Sequence, residues 1–320
     1  MEADAAIIGH HGIIASSAER CRSKALAVSI KAKKVQEGIA MRVTVVTGSR
    51  ADYGMLEWPI KVMKDDPFFQ VEVLKLWGFT HSKAFDRIQT IERPDILMLL
   101  GDRFEIFGAA TAAHLLRIPI AHIAGGDVTE GSYDDAMRDC ISRMASVHFV
   151  TSSSAMARLT AMGCRNIHLV GSPGIDYIRK ANWKKPIRNE NPYVVVSYQA
   201  ETIDGTNALP DIYPTLPDDY KVFILPNNDR GNDKIKDSIV KWCKHRADAE
   251  FYEFLPHDEF LNLIWHSKEF IGNSSAMLYE APELGIKTRM IGKRQRGRTI
   301  PWGDGNASER IVHVLKYGAL

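Results

Sequence analysis

The 320-residue sequence has no paired-cysteine spacing, no bilayer-length apolar run and almost no net charge, and each absence removes a class of function. The four cysteines (Cys21, Cys140, Cys164 and Cys243) form neither CxxC nor CxxH pairs. That argues against structural zinc and for a reducing, cytoplasmic setting. No HxxE or paired-histidine spacing supports a metal, and no stretch is apolar for long enough to cross a membrane. With 41 Lys and Arg against 39 Asp and Glu, the chain as a whole carries no nucleic-acid footprint. The GxGxxG fingerprint and the Walker loop are missing too, so NAD and ATP are poorly supported and no cofactor is expected. Low-complexity tracts and short-period repeats are also absent. What remains is an ordinary globular composition, 45% hydrophobic and 25% charged, long enough for two domains or one large one.

From Arg42 the chain alternates strand, loop and helix. The runs Arg42–Thr47, Val71–Trp77, Asp95–Leu100, Ile118–Ile123, His148–Val150 and Ile167–Val170 read as strands, with amphipathic helices between them. Such alternation gives a parallel sheet with helices on both faces. The stretch from Arg179 to Pro192 is basic, polar and holds two prolines, and it reads as a linker. The pattern then restarts with strands near 193–197, 222–225, 251–255, 269–271 and 288–291. Helices fall at 233–245, 257–266 and 275–284, and an amphipathic helix at 306–316 closes the chain. Residues 1–40, weakly periodic, read as a leader outside the fold, with Met41 as the natural start; Glu2 and Asp4 argue against a targeting peptide. The expectation is an α/β protein: a Rossmann-like domain at 41–178, a linker at 179–192 and a second Rossmann-like domain at 193–320, facing across a cleft.

Open α/β sheets collect ligands at the loops leaving the carboxyl ends of their strands. The stretch His122 to Asp135 is such a loop: a buried strand breaks at Gly125-Gly126 and resumes as a helix at Asp134, gathering Asp127, Asp134 and Asp135. Gly48-Ser49-Arg50 opens a helix directly after a strand, with free amides and a guanidinium suited to a phosphate. Gly272-Asn273-Ser274-Ser275 repeats the device, with Glu280 one turn on to take ribose hydroxyls. The cationic loop Gly292 to Arg298 follows the next strand and reads as an anion clamp. Asp102 and Glu105 follow a wholly apolar strand, which places Asp102 at the cleft with a shifted pKa fit for acid–base work. Each loop also has a plainer reading as a Gly turn, an Asp or Ser N-cap, or a solvated charge run. His122, His148 and His168 read singly as packed histidines.

Together these loops resemble the hydrolysing UDP-N-acetylglucosamine 2-epimerases, especially the branch that feeds sialic and related nonulosonic acid synthesis. The matching residues are Thr47 to Gly54, Gly101-Asp-Arg-Phe-Glu105, His122-Ile-x-Gly-Gly-Asp127, Tyr133-Asp-Asp135 with Arg138, Gly272 to Ser275, and Gly292-x-Arg-Gln-x-Gly-Arg298. The resemblance implies a GT-B fold binding a UDP-sugar, no metal or redox cofactor, and a homodimer formed through helices of the first domain. It implies removal of UDP by anti-elimination across C1–C2, then addition of water to the glycal with inversion at C2. Carried over by position, Asp102, Asp127, Asp134 and Asp135 match the catalytic acids. Gly48, Arg50, Arg103, His257, Asn273, Ser274, Ser275, Glu280, Arg294 and Arg298 match the substrate- and nucleotide-binding set.

Two positions depart from the family's pattern. The residue after His122-Ile123, usually Glu or His, is Ala124, and the His-Pro-Glu-Thr loop appears as Ser197-Tyr-Gln-Ala-Glu-Thr202, without the His. A general acid or base is typically worth ~10²–10⁴-fold, so the loss of two leaves three readings open. One is an epimerase using substitutes such as His257 or Tyr198 with Asp102. Another is a GT-B glycosyltransferase with a single base, Asp102 or Asp127, and an anionic acceptor received by the basic stretches 180–188 and 293–298. The third is a non-catalytic nucleotide-sugar binder.

Overall fold

The computed structural model describes residues 39–185, 192–201, 209–227 and 231–318; most of the expected leader and residues 186–191 of the expected linker lie outside them. The apolar runs become the strands of two separate sheets. The first holds β1 (Met41–Thr47), β2 (Phe69–Lys75), β3 (Ile96–Leu100), β4 (Ile120–Ile123), β5 (Val147–Val150) and β6 (Ile167–Leu169), in the order β2-β1-β3-β4-β5-β6. The second holds β7 (Tyr193–Ser197), β8 (Tyr220–Ile224), β9 (Ala249–Tyr252), β10 (Glu269–Gly272) and β11 (Thr288–Met290), in the order β11-β10-β7-β8-β9. All of these pairings are parallel.

Parallel strands are covered on both faces, which is why β3 can be Ile-Leu-Met-Leu-Leu with all five residues buried. On one face of the first sheet, Val43, Val45 and Met98 pack against Leu56, Ile60 and Met63 of α1 (Arg50–Asp65). On the other face, Val46, Leu97 and Leu99 pack against Ala84 and Ile88 of α2 (His81–Gln89) and Ile106, Ala109 and Ala113 of α3 (Phe104–Leu115). The strand residues divide with a period of two and the helix residues recur every three to four, as the two geometries require. Next in the first unit come α4 (Asp135–Met144), α5 (Ser153–Ala161) and α6 (Pro173–Lys180). The second sheet is accompanied by α7 (Leu209–Ile212), α8 (Asn232–Lys244), α9 (His257–Trp265) and α10 (Glu280–Glu283), and α11 (Ala307–Tyr317) follows. Among the described residues, no helix is long and apolar enough to cross a membrane.

Pro173 starts α6, where its fixed φ suits the first turn and its missing N–H costs nothing. Two readings of the sequence are corrected here. The beginning of the expected linker is anchored rather than polar and loose: Trp183 is fully buried, donates its indole N–H to the Ile178 carbonyl at 2.9 Å and meets Trp265 edge-on. Beside it Arg179 pairs with Glu283 at 2.5 Å, and Lys180, the first cation of the basic stretch 180–188, pairs with Glu309 at 2.7 Å; residues 186–188 of that stretch lie outside the described residues. Finally, the closing helix, assigned from the sequence to residues 193–320, packs on the first sheet. Ile311, Val312, Val314 and Leu315 of α11 join the core around Val43 and Leu56.

The docking of α11 is fixed by a carboxylate from another helix. Asp176 of α6, fully buried, accepts the Ala307 N–H at 3.1 Å and the Ser308 N–H at 2.5 Å, satisfying two donors at the start of α11. Replacing Asp176 with Ala should therefore cost about 1–3 kcal/mol of stability, read from the urea midpoint, because two buried N–H groups lose their acceptor. Asp176→Asn, which keeps one acceptor oxygen, should recover part of that loss. Equal stability of all three proteins would refute this account of the docking.

Candidate active site

One buried cation organises the acidic loops of the first sheet. Arg138 of α4, its side chain 4% exposed, donates through Nη2 to Asp102 at the end of β3. Through Nη1 it reaches the Asp127 main-chain oxygen at 2.6 Å and Asp135 Oδ1 at 2.5 Å. Asp135 also accepts the Thr129 N–H on both of its oxygens, each at 3.0 Å. The planar fork of the guanidinium thus sets three chain segments at once. Asp135 is occupied in shaping the loop, and Asp134, at the start of α4, accepts a hydrogen bond from the Ser132 hydroxyl. Asp102 is not the cap of α3, whose N-cap position is Arg103; it is the Arg138 partner.

Asp127 differs from the other three. Its side chain accepts the Thr151 hydroxyl at 2.7 Å. Burial pushes its carboxyl up to about 6, against the lowering pull of that hydrogen bond and of Arg138 and Arg298. His122 stands behind the loop. Its Nε2 faces the Gly101 carbonyl at 2.8 Å and its Nδ1 faces Ser142 Oγ at 3.0 Å, so Nε2 carries the proton and Nδ1 accepts. Burial pushes this imidazole down to about 4, which keeps it neutral and makes it a scaffold, as its apolar setting in the sequence suggested. Ala124 holds φ at +60°, an uncommon conformation for a side-chain-bearing residue, and its N–H donates to the Phe149 carbonyl at 3.0 Å.

The phosphate cradle expected at Gly48 to Arg50 is partly used internally. The Gly48 N–H goes to Asp52 Oδ2 at 3.2 Å, and Ser49 Oγ accepts the Asp52 N–H at 3.2 Å. Arg50 lies exposed, with its guanidinium 3.8 Å over the Phe254 ring, from the second unit. Arg103 pairs with the buried Glu105 at 3.1 Å. Asp52 was not singled out in the sequence, where it reads as an ordinary acidic residue in a first helical turn. Burial pushes its carboxyl up to about 6, opposed by Arg103.

In the second sheet, Gly272 has φ +143° and no room for a Cβ against the Ser197 backbone. Asn273, fully buried, accepts the Gln199 N–H at 2.6 Å, donates to the Gln199 carbonyl at 2.9 Å, and takes Gln295 Nε2 on its own carbonyl at 2.7 Å. It ties three loops together rather than facing a ligand. The helix expected at 275–284 is divided into a 3₁₀ turn, Ser275–Met277, begun by Ser274, and the short α10. Glu280, pushed up by burial, keeps Oε2 buried without a hydrogen-bond partner, and so does His257 at Nδ1. These open valences suit the hydroxyls of a bound ligand. Tyr198 is fully buried in the second core, which removes it as a proton donor to the cleft; the neighbouring Gln199 is the partly exposed residue, its Oε1 accepting the Asn227 N–H at 3.0 Å.

The cationic loop after β11 divides its charges. Glu201 holds its base by accepting the Lys293 N–H at 2.9 Å, and Arg296 lies outward, 3.6 Å from Glu130. Arg298 turns inward, donating to the Tyr279 hydroxyl and, at 3.2 Å, to Gln295 Oε1. The chain continues as a strap across the first unit. Thr299 and Val128 exchange hydrogen bonds at 2.9 and 2.8 Å, and Trp302 donates to the Thr151 carbonyl at 2.9 Å. Gly131 is a close-approach glycine: a Cβ there would collide with the Lys293 and Arg294 carbonyls. The strap brings Arg298 within electrostatic reach of Asp127 and Asp102. A carboxyl pushed up by burial thus shares its surroundings with a permanent cation. Among the described residues, no group of His, Cys, Asp and Glu is arranged to hold a metal ion.

Comparison with known proteins places this architecture. The chain is 28% identical over 257 residues to the GDP/UDP-N,N'-diacetylbacillosamine 2-epimerase (hydrolyzing) of Campylobacter jejuni, an alignment covering 75% of this chain and 66%, just under two thirds, of that protein. It is 25% identical to the Neisseria meningitidis UDP-N-acetylglucosamine 2-epimerase over 80% of this chain and 81% of the relative. The Methanocaldococcus jannaschii UDP-GlcNAc 2-epimerase, solved with UDP-GlcNAc and UDP, superposes with a TM-score of 0.72 at 18% identity, covering 87% of this chain and 100% of that one. S. aureus MnaA, solved with UDP, superposes with a TM-score of 0.70 at 17% identity, covering 87% and 96%. The fold is of the GT-B type, with parallel sheets of six and five strands. The family model for UDP-N-acetylglucosamine 2-epimerase matches residues 80–301, and the chain belongs to that family.

Proposed function

We propose that the protein is a hydrolysing nucleotide-sugar 2-epimerase that converts a UDP-linked 2-acetamido sugar and water into UDP and the free C2 epimer. The observation that supports this is Asp127, a carboxyl pushed up by burial, held by the Thr151 hydroxyl at 2.7 Å and reached electrostatically by Arg298 of the strap. In this reading Asp127 takes the C2 proton, the C1–O bond to UDP breaks, and the C1–C2 double bond of a glycal forms. Arg298 stabilises the departing diphosphate, and Glu280 and His257 take ribose hydroxyls through their open valences. Water then adds across the double bond, with its oxygen at C1 and a proton at C2 on the face that inverts the centre. Asp102, fixed by Arg138, lies beside this chemistry. The relatives named as hydrolysing, from C. jejuni and Legionella pneumophila, support the subtype. Ala124 has no group that exchanges protons, the Ser197–Thr202 loop holds no His, and Tyr198 is buried in the second core, so the reading places the acid–base work on the carboxylates.

The direct test is a proton NMR time course in deuterated water, with UDP-N-acetylglucosamine and no acceptor. N-acetylmannosamine carrying deuterium at C2, formed with stoichiometric UDP, is the expected result. Bound UDP-sugar left unchanged would reject the reading for this donor and favour transfer to an acceptor.

Asp127 gives two further expectations. As a base it must be ionised, so kcat/KM should rise about tenfold per pH unit below ~6 and level off above it; Asp127→Asn should abolish that limb and lower turnover by ~10²–10⁴-fold while UDP still binds. The stability effect has the opposite sign. A carboxyl pushed up on folding contributes stability at low pH that is lost as pH rises through about 6. Asp127→Asn should therefore be more stable than the parent at pH 8, by ~1–3 kcal/mol, and no more stable at pH 4. Thermal unfolding at the two pH values checks this, and a variant less stable than the parent at pH 8 would contradict the buried-base assignment.

A further inference from the structure

Thr151 lies outside every motif read from the sequence. It directly follows β5, is 3% exposed, and holds two different partners. Its hydroxyl donates to Asp127 Oδ1 at 2.7 Å, and its main-chain oxygen accepts the Trp302 N–H at 2.9 Å. Trp302 in turn gives its carbonyl to the Ser172 N–H at 2.8 Å, and Gly171, at φ +91°, leaves just enough room for its ring, which a Cβ would approach to 3.0 Å. At the other end of the strap, Thr299 and Val128 exchange two hydrogen bonds. The result is a closed circuit: Asp127 to Thr151, along the strap from Trp302 to Thr299, and back through Val128 to Asp127.

We infer that Thr151 is a positioning residue for the proposed reaction: its hydroxyl fixes the Asp127 carboxylate while its carbonyl fixes the strap that carries Arg298. Base and leaving-group cation come from different sheets, and this residue sets their register. The inference rests on the reading of Asp127 as the base. The charged and titratable groups facing Asp127 are Arg138 from α4, Arg298 from the strap, Asp102 from the end of β3, and Tyr279 ahead of α10. The two cations hold the ionised form and Asp102 opposes it, so the Thr151 hydroxyl is the adjustable neutral contact in the set. A hydrogen bond to the ionised carboxylate lowers its pKa, and losing one raises it by about one unit.

The test uses the full chain with Thr151→Val, which keeps shape and β-branching but not the hydroxyl, and Thr151→Ser, which keeps the hydroxyl. Asp127 is followed by its carboxyl ¹³C resonance, assigned by its absence in Asp127→Asn, and turnover is followed across pH. In Thr151→Val the Asp127 titration and the acid limb of kcat/KM should move up together by about one unit. At pH 6, kcat/KM should fall by about fivefold, as the ionised fraction drops from about one half to about one tenth, with UDP affinity unchanged, and Thr151→Ser should restore both. A merely structural threonine would change folding without moving either titration. An Asp127 resonance that titrates identically in Thr151→Val overturns the inference. A resonance that moves while the kinetic limb stays removes Asp127 from the proton transfer and Thr151 with it, although the hydrogen bond itself is then real.

Discussion

The structure depends first on a buried guanidinium. Arg138 reaches Asp102 from β3, Asp135 from its own helix and the main chain of Asp127, so the end of one strand, the start of one helix and the loop between them share a single cation. A charge so deeply placed is tolerable only with partners, and removing one leaves an uncompensated buried ion at a cost of ~3–5 kcal/mol. That is why an acidic loop with Asp127, Asp134 and Asp135 close together does not fly apart. It also divides the carboxylates: those of Asp102 and Asp135 are tied to Arg138, while the Asp127 side chain is turned to Thr151.

A second constraint comes from the other sheet. The chain leaves β11, deposits Arg298 at the acidic loop, pairs with Val128 and Thr151, and ends in a helix buried against β1 and α1. The two units are therefore linked by a strap and by an exchanged helix, with Asp176 closing the connection. Gly131 and Gly171 are the places where the first unit makes way for the strap. The proposed arrangement of Asp127 and Arg298, drawn from both sheets, needs such fixation, because a displacement of about 1 Å between reacting groups can cost ~10²-fold in rate.

Ala124 and the Ser197–Thr202 loop are the two departures from the family's pattern. Neither site is slack: Ala124 accepts a left-handed backbone conformation and bonds to β5, and Gln199 is pinned by Asn273 and Asn227. Both loops are held in shape by the main chain and by amides, and the carboxyls that burial raises lie nearby in sequence, Asp127 after Ala124 and Asp52 after Gly48.

The sequence by itself determined the eleven strands, most of the helices and the glycine loops at the strand ends, because hydrophobic period and turn chemistry are local properties of a chain. It also announced the acidic loop and the inward Arg298 as residues of the right type. It did not determine their use. Asn273 became a brace, Gly48 lost its amide to Asp52, Tyr198 went into a core and α11 crossed to the first sheet. Asp176 and Ala307 are 131 residues apart, and Val128 and Thr299 are 171 apart. Hydrogen bonds of that span leave no period, composition or motif in the chain. Only tertiary packing, by removing water from these groups and supplying their partners, decided which carboxylates are tied to Arg138 and which is held by Thr151 instead.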